Sequence, residues 1–143
     1  MEVASSEFGS GRSMDQKRRL LAIDDDEQIA EILSIAGTRF GFDAKVVTEP
    51  EAFKDIFKTF DPDVIIVDVV MPEMDGIELL RHLAESGCNV PVLVISGFNP
   101  HYMHSMEQLG ADWGLPSVSS MKKPFRMDDL KSYLDQVPYR AHN

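Results

Sequence analysis

Two nearly continuous apolar runs mark the chain, DVIIVDVV at 63–70 and VPVLVISG at 90–97. Runs without polar alternation suit strands buried on both faces, as at the centre of a parallel sheet. Weaker strand patterns lie at 18–24 (RRLLAID), 43–48 (DAKVVT) and 117–122 (SVSSMK). Between these runs the apolar residues recur at three- and four-residue steps. Ile29, Ile32, Leu33, Ala36 and Phe40 form one such stripe, ended by Gly41. Phe53, Ile56 and Phe57 form another after Pro50, a residue suited to a helix's first turn. Segments 76–86, 100–110 and 127–137 predict further helices, and ADWGLPSVSS at 111–120 reads as a long loop into the last strand. Strand and helix alternate with short connections, which predicts an α/β fold, an open, doubly wound, five-stranded parallel sheet with helices on both faces.

Composition adds limits. A chain of 143 residues, 43% hydrophobic and 27% charged, fits one domain. The opening MEVASSEFGSGRS is rich in Ser and Gly and poor in large apolar residues, so residues 1–13 are expected to be vector-derived and 14–143 a single domain. The net charge is −10; residues 1–13 carry Glu2, Glu7 and Arg12, so the remainder keeps −9. Such a surface disfavours direct contact with nucleic acid or an anionic membrane, both of which need basic groups. No stretch approaches the roughly 18 apolar residues of a membrane span, and no secretory segment is recognisable, so a cytoplasmic protein is expected. The single cysteine, Cys88, agrees, and reads as a small loop residue.

The chemistry concentrates in LAIDDDE at 21–27, where an apolar segment runs straight into four carboxylates. Like charges about 4 Å apart cost about 4 kcal/mol per pair at an effective dielectric near 20, so a cation is the natural counterweight. In open parallel sheets ligands sit at the carboxyl ends of strands. That rule brings together Asp24 and Asp25 after the first strand, Asp68 at the third, Ser96 at the fourth and Lys123 at the fifth. Carboxylates with a main-chain carbonyl make the oxygen-rich setting that Mg²⁺ prefers. Lys123 adds a second cation, Ser96 a hydroxyl donor, and Asp68 a carboxylate nucleophile able to carry a phosphoryl group. Asp26 and Glu27 read as helix-capping residues instead.

Four motifs in order, IDDD, VIIVDVVMPEMDG, VLVISG and KKPF, resemble the CheY-like receiver domain of bacterial two-component response regulators, over roughly Arg18 to Val137. The resemblance implies a flavodoxin-like sheet of order 2-1-3-4-5. It makes Asp24 and Asp25 the acidic pair, Asp68 the phosphoacceptor, Ser96 the switch hydroxyl and Lys123 the phosphate-binding lysine. The metal site would be Asp24, Asp25, Asp68 and the main-chain carbonyl of Val70, holding Mg²⁺. Pro72 and Gly76 resemble the family's turn. Implied partners are a sensor histidine kinase or histidine phosphotransfer protein as donor, and a downstream target or a second copy through residues 100–137. Such a protein catalyses only its own phosphoryl transfer and dephosphorylation, and is not an enzyme acting on an external substrate.

Departures from the family pattern carry expectations of their own. Ser120 stands where the family usually has an aromatic residue that rotates inward; Trp113, Leu115 or Phe98 is a candidate replacement. Val70 and Phe98 are apolar where a polar side chain could position water, which predicts slow autodephosphorylation. A phosphorylation-independent adaptor or dimerisation module is the alternative that Ser120 favours. A Mg²⁺-dependent phosphohydrolase ranks lower, because the residue two beyond Asp68 is Val70 and not a second acid. His101 and His104 have no third ligand at metal spacing and read as surface residues, whereas Met103, Met106, Met121 and Met127 read as core. Whether the domain acts alone or within a longer regulator is open.

Overall fold

A computed structural model describes residues 16–68, 76–97 and 100–140. Its five strands are β1 (Arg18–Ile23), β2 (Phe42–Val47), β3 (Val64–Asp68), β4 (Val92–Ser96) and β5 (Val118–Lys122). They alternate with α1 (Glu27–Arg39), α2 (Pro50–Phe60), α3 (Gly76–Glu85), α4 (Pro100–Asp112) and α5 (Met127–Asp135). All strand pairs are parallel, and the order is β2-β1-β3-β4-β5. The sheet order is the one expected.

The apolar runs are continuous because both faces of the central strands are covered. Leu21, Ile23, Ile65, Val67, Val92 and Val94 pack with Phe53 of α2, Leu79, Leu80 and Leu83 of α3, and Met106 of α4. Their neighbours Leu20, Ala22, Val64, Ile66, Leu93 and Ile95 face Leu33 and Ala36 of α1 and Leu130 and Leu134 of α5. Strand periodicity thus sends alternate residues into two separate cores. Asp26 caps α1, its side chain accepting from the Gln28 and Ile29 amides, and Pro50 opens α2. After α1 the chain reverses into β2 through Gly41 at φ +94°, a conformation costly for residues with a Cβ.

Three expectations need correction. Helix α4 continues to Asp112, so the connection to β5 is residues 113–117 and not a long loop from 111. The amides of Trp113, Gly114 and Leu115 donate to Leu109, Ala111 and Gly110 carbonyls and close the helix end locally. Ile32 belongs to the apolar stripe of α1, yet it is 39% exposed beside Ile35 at 56%, both lining an open groove between α1 and α5. Met127 is likewise 41% exposed, while Met103 and Met106 are buried as expected.

Candidate functional site

The carboxyl ends of β1, β3, β4 and β5 form one rim. β1 delivers Asp24, whose amide donates to Val47 O and extends the β1–β2 pairing by one residue. Asp24 is fully buried, and its Oδ1 accepts from the Asp26 amide at 2.9 Å. The same turn leaves Asp25 exposed beside it. β3 ends on Asp68, 3% exposed, and β4 ends on Ser96, 2% exposed. The Lys123 amide donates to Ser96 O at 2.7 Å, tying the end of β5 to the end of β4. The Lys123–Pro124 bond that follows is cis.

Lys123 Nζ lies 2.8 Å from Asp24 Oδ2 and 3.4 Å from Asp68 Oδ1. Carboxylate oxygens of Asp24, Asp25 and Asp68 all lie within 4.8 Å of one another. Burial raises the Asp68 pKa to about 7, helped by the charge of Asp24 and a hydrogen bond with Asp25, against the pull of Lys123. Burial opposes the Lys123 charge, but Asp24 and Asp68 outweigh it and hold its pKa above the ordinary lysine value. One ammonium therefore does not neutralise the cluster. Asp24 Oδ2 is buried against the Lys123 ammonium. Three convergent carboxylates with a single ammonium between two of them fit a hard divalent cation.

Residues 20–135 match the family model described as response regulator receiver domain. This chain belongs to that family. It is 30% identical over 123 residues to the cell cycle response regulator CtrA of Brucella ovis, covering 86% of this chain and 51% of that one. The chain thus spans about half the length of the curated relatives it matches. A response regulator from Colwellia psychrerythraea superposes with a TM-score of 0.71 at 31% identity, covering 84% of this chain and 95% of that one. The chemotaxis response regulator CheY4 of Vibrio cholerae shares the fold, with a TM-score of 0.72 at 22% identity over 86% of this chain and 100% of that one. Receiver domains are not classical enzymes, and no helix among the described residues is long and apolar enough to cross a membrane.

Within this receiver domain, Asp24, Asp25, Asp68 and Lys123 meet at the rim, and Ser96 ends the neighbouring strand one residue beyond Ile95, the register partner of Asp68. Val70, Pro72 and Phe98 lie outside the described residues, and Gly76 is the first residue of α3. Trp113 does not replace the missing aromatic. It precedes β5 at the amino-terminal end of the sheet, the far end from Asp68, and stacks with the Arg81 guanidinium 5.3 Å from its ring. Leu115 is buried in the core there. Ser120 instead donates its hydroxyl to Glu107 of α4. That partner was not foreseen, because Glu107 on its own reads as an exposed helical acid. Also unforeseen is Asp63, fully buried at the opposite end of the sheet and bound to Arg140; it had read as the first residue of a strand.

Proposed function

We propose that this receiver domain accepts a phosphoryl group on Asp68 from a phosphohistidine of a histidine kinase or phosphotransfer protein, in a Mg²⁺-dependent reaction, and thereby changes a protein-binding surface. The observation that carries this is the buried Asp68 carboxylate beside two further aspartates and one lysine. Asp68 attacks the phosphorus; its O–P bond forms as the donor's N–P bond breaks, the electron pair returning to the imidazole nitrogen. Lys123 balances negative charge on the transferring group, and Ser96 donates to one of its oxygens. Asp24, Asp25, Asp68 and the carbonyl of Val70 would hold Mg²⁺, which supplies two positive charges against carboxylates and phosphoryl oxygens.

The donor is proposed to dock over α1 and the start of α5. Both helices start at the rim, and Ile32, Ile35, Phe40 and Met127, with Arg39 and Lys131, line a groove between them. In residues 100–137, proposed as the output or self-association face, Met127 is the one large exposed apolar side chain among the described residues. Residues 14–143 are proposed as one domain, 1–13 as vector-derived, and the setting as cytoplasmic. Intact-mass analysis after acetyl phosphate treatment tests the reading. One phosphoryl group is expected with Mg²⁺, and none without it or in Asp68→Asn. A folded wild type that takes up none from acetyl phosphate or a phosphohistidine donor would leave the adaptor as the better account.

A further inference from the structure

At the amino-terminal end of the sheet, the end of α3 and the turn after α4 enclose a pocket of about 200 Å³ lined by Arg81, Ala84, Glu85 and Trp113. Trp113, the chain's one tryptophan, is held firmly there. Helix α4 presses so closely on β5 that a Cβ on Gly110 would lie 2.4 Å from Val118 Cγ2, and the Trp113 amide donates to Leu109 O. Gly114 then turns the chain at φ +94°, Leu115 enters the core, and the half-buried indole packs against it. Arg81, by contrast, is exposed on α3. Glu78 and Glu85 stand three and four residues from it on the same helix, spacings at which ion pairs form readily. Its guanidinium instead lies over the indole, 5.3 Å from the ring centroid, and makes no ion pair or hydrogen bond among the described residues. Stacking orients the guanidinium plane and leaves its N–H groups for an acceptor. An oriented fork of this kind matches a carboxylate bidentately. Three features narrow the ligand. The pocket is smaller than the roughly 300–1,000 Å³ of sites that enclose a small molecule, so it suits one side chain of a larger partner. Glu85 on its wall opposes a phosphate dianion more strongly than a carboxylate monoanion. The chain's net charge of −10 repels a run of acids, which favours a single carboxylate among apolar residues.

We propose that Arg81 and Trp113 form a docking point for a protein partner that presents one acidic side chain beside an apolar one, the carboxylate on Arg81 and the apolar group against Trp113 and Ala84. The site lies at the end of the sheet opposite Asp68, so it holds its partner whatever the state of Asp68 and does not depend on the phosphoacceptor reading. Because Trp113 is the one tryptophan, its emission reports this site alone on the whole chain. Titration with the blocked tripeptide acetyl-Leu-Asp-Leu-amide should change that emission saturably, with a Kd of about 1–10 mM. The matching peptide with Asn in place of Asp keeps the shape and loses the charge, and should bind at least about fivefold more weakly. The Asp peptide should lose at least as much on Arg81→Gln, an exposed substitution that leaves the core intact, and gain about two- to fivefold on Glu85→Gln. No saturation, equal binding of the Asn peptide, or an Arg81→Gln chain that binds like the wild type overturns the site. Hexanoate binding as tightly as the peptide would assign the pocket to free carboxylates, and a dimer in sedimentation that Arg81→Gln dissolves would assign it to a second copy. Either result overturns the protein partner. An affinity that changes when Asp68 is phosphorylated overturns the independence of the two ends.

Discussion

Asp68 shows how one residue can be placed against its own charge. Burial and Asp24 raise its pKa from an ordinary 3.8 to about 7, although Lys123 is 3.4 Å away. A carboxyl whose pKa is higher in the folded than in the unfolded chain stabilises the fold fully below about pH 4. That contribution is lost as pH rises through about 7. In EDTA, therefore, the urea midpoint of the wild type should fall between pH 5 and pH 8. Asp68→Asn should remove most of that fall and be more stable by about 1–3 kcal/mol at pH 8. Mg²⁺ should raise the wild-type midpoint at the same pH. A flat wild-type profile in EDTA would refute this account of the site. The positions of Asp24, Asp25, Asp68 and Ser96 at strand ends were legible because each ends or follows an apolar strand, and that of Lys123 because of the KKPF motif. Their charge state was not, since it depends on depth of burial and on distances between strand ends. Val70 and Phe98 retain their sequence-level expectation of slow phosphoryl loss; a fast loss would contradict it.

At the scale of elements, Gly110 is the most exacting position in α4. Gly110→Ala should force α4 off β5 and cost about 1–3 kcal/mol, as overpacking does, despite alanine's better helix propensity. An exposed helical glycine would show the opposite sign, so the urea midpoint alone distinguishes the two. Helix order was legible from apolar stripes, but boundaries and flanks were less so. Ala111 and Asp112 carry no large apolar group and stand before Gly114 and Pro116, so their helical state was hidden. Ile32 illustrates the other limit. Periodicity shows that a helix has an apolar side, but not how much of that side its neighbours cover.

Across the whole molecule, the two ends of the sheet have opposite characters. The carboxyl rim gathers acids around one lysine; the amino end buries one acid among arginines. Asp63 accepts from the Arg19 amide at 2.7 Å and from Arg140 Nε at 3.1 Å. Arg140 also donates to the Asp61 carboxylate and Pro62 O. Arg18, between the Phe42 and Tyr139 rings, donates to the Val137 and Leu134 carbonyls. Residues 136–140 are thereby strapped across the sheet beyond the end of the family match at 135. Arg140→Ala removes the guanidinium from the buried Asp63 carboxylate and should cost about 2–4 kcal/mol, read from the urea midpoint. A loss below about 0.5 kcal/mol would mean that the strap is an ordinary surface ion pair. The sequence by itself determined the alternation of elements, the sheet class and the residues of the rim, because strand and helix periods and strand-end motifs are local properties of the chain. Tertiary structure alone decided that Ser120 meets Glu107, that Asp63 meets Arg140, and which side of α1 stays open. Those pairings join residues on different elements, and their geometry depends on how helices settle against a twisted sheet.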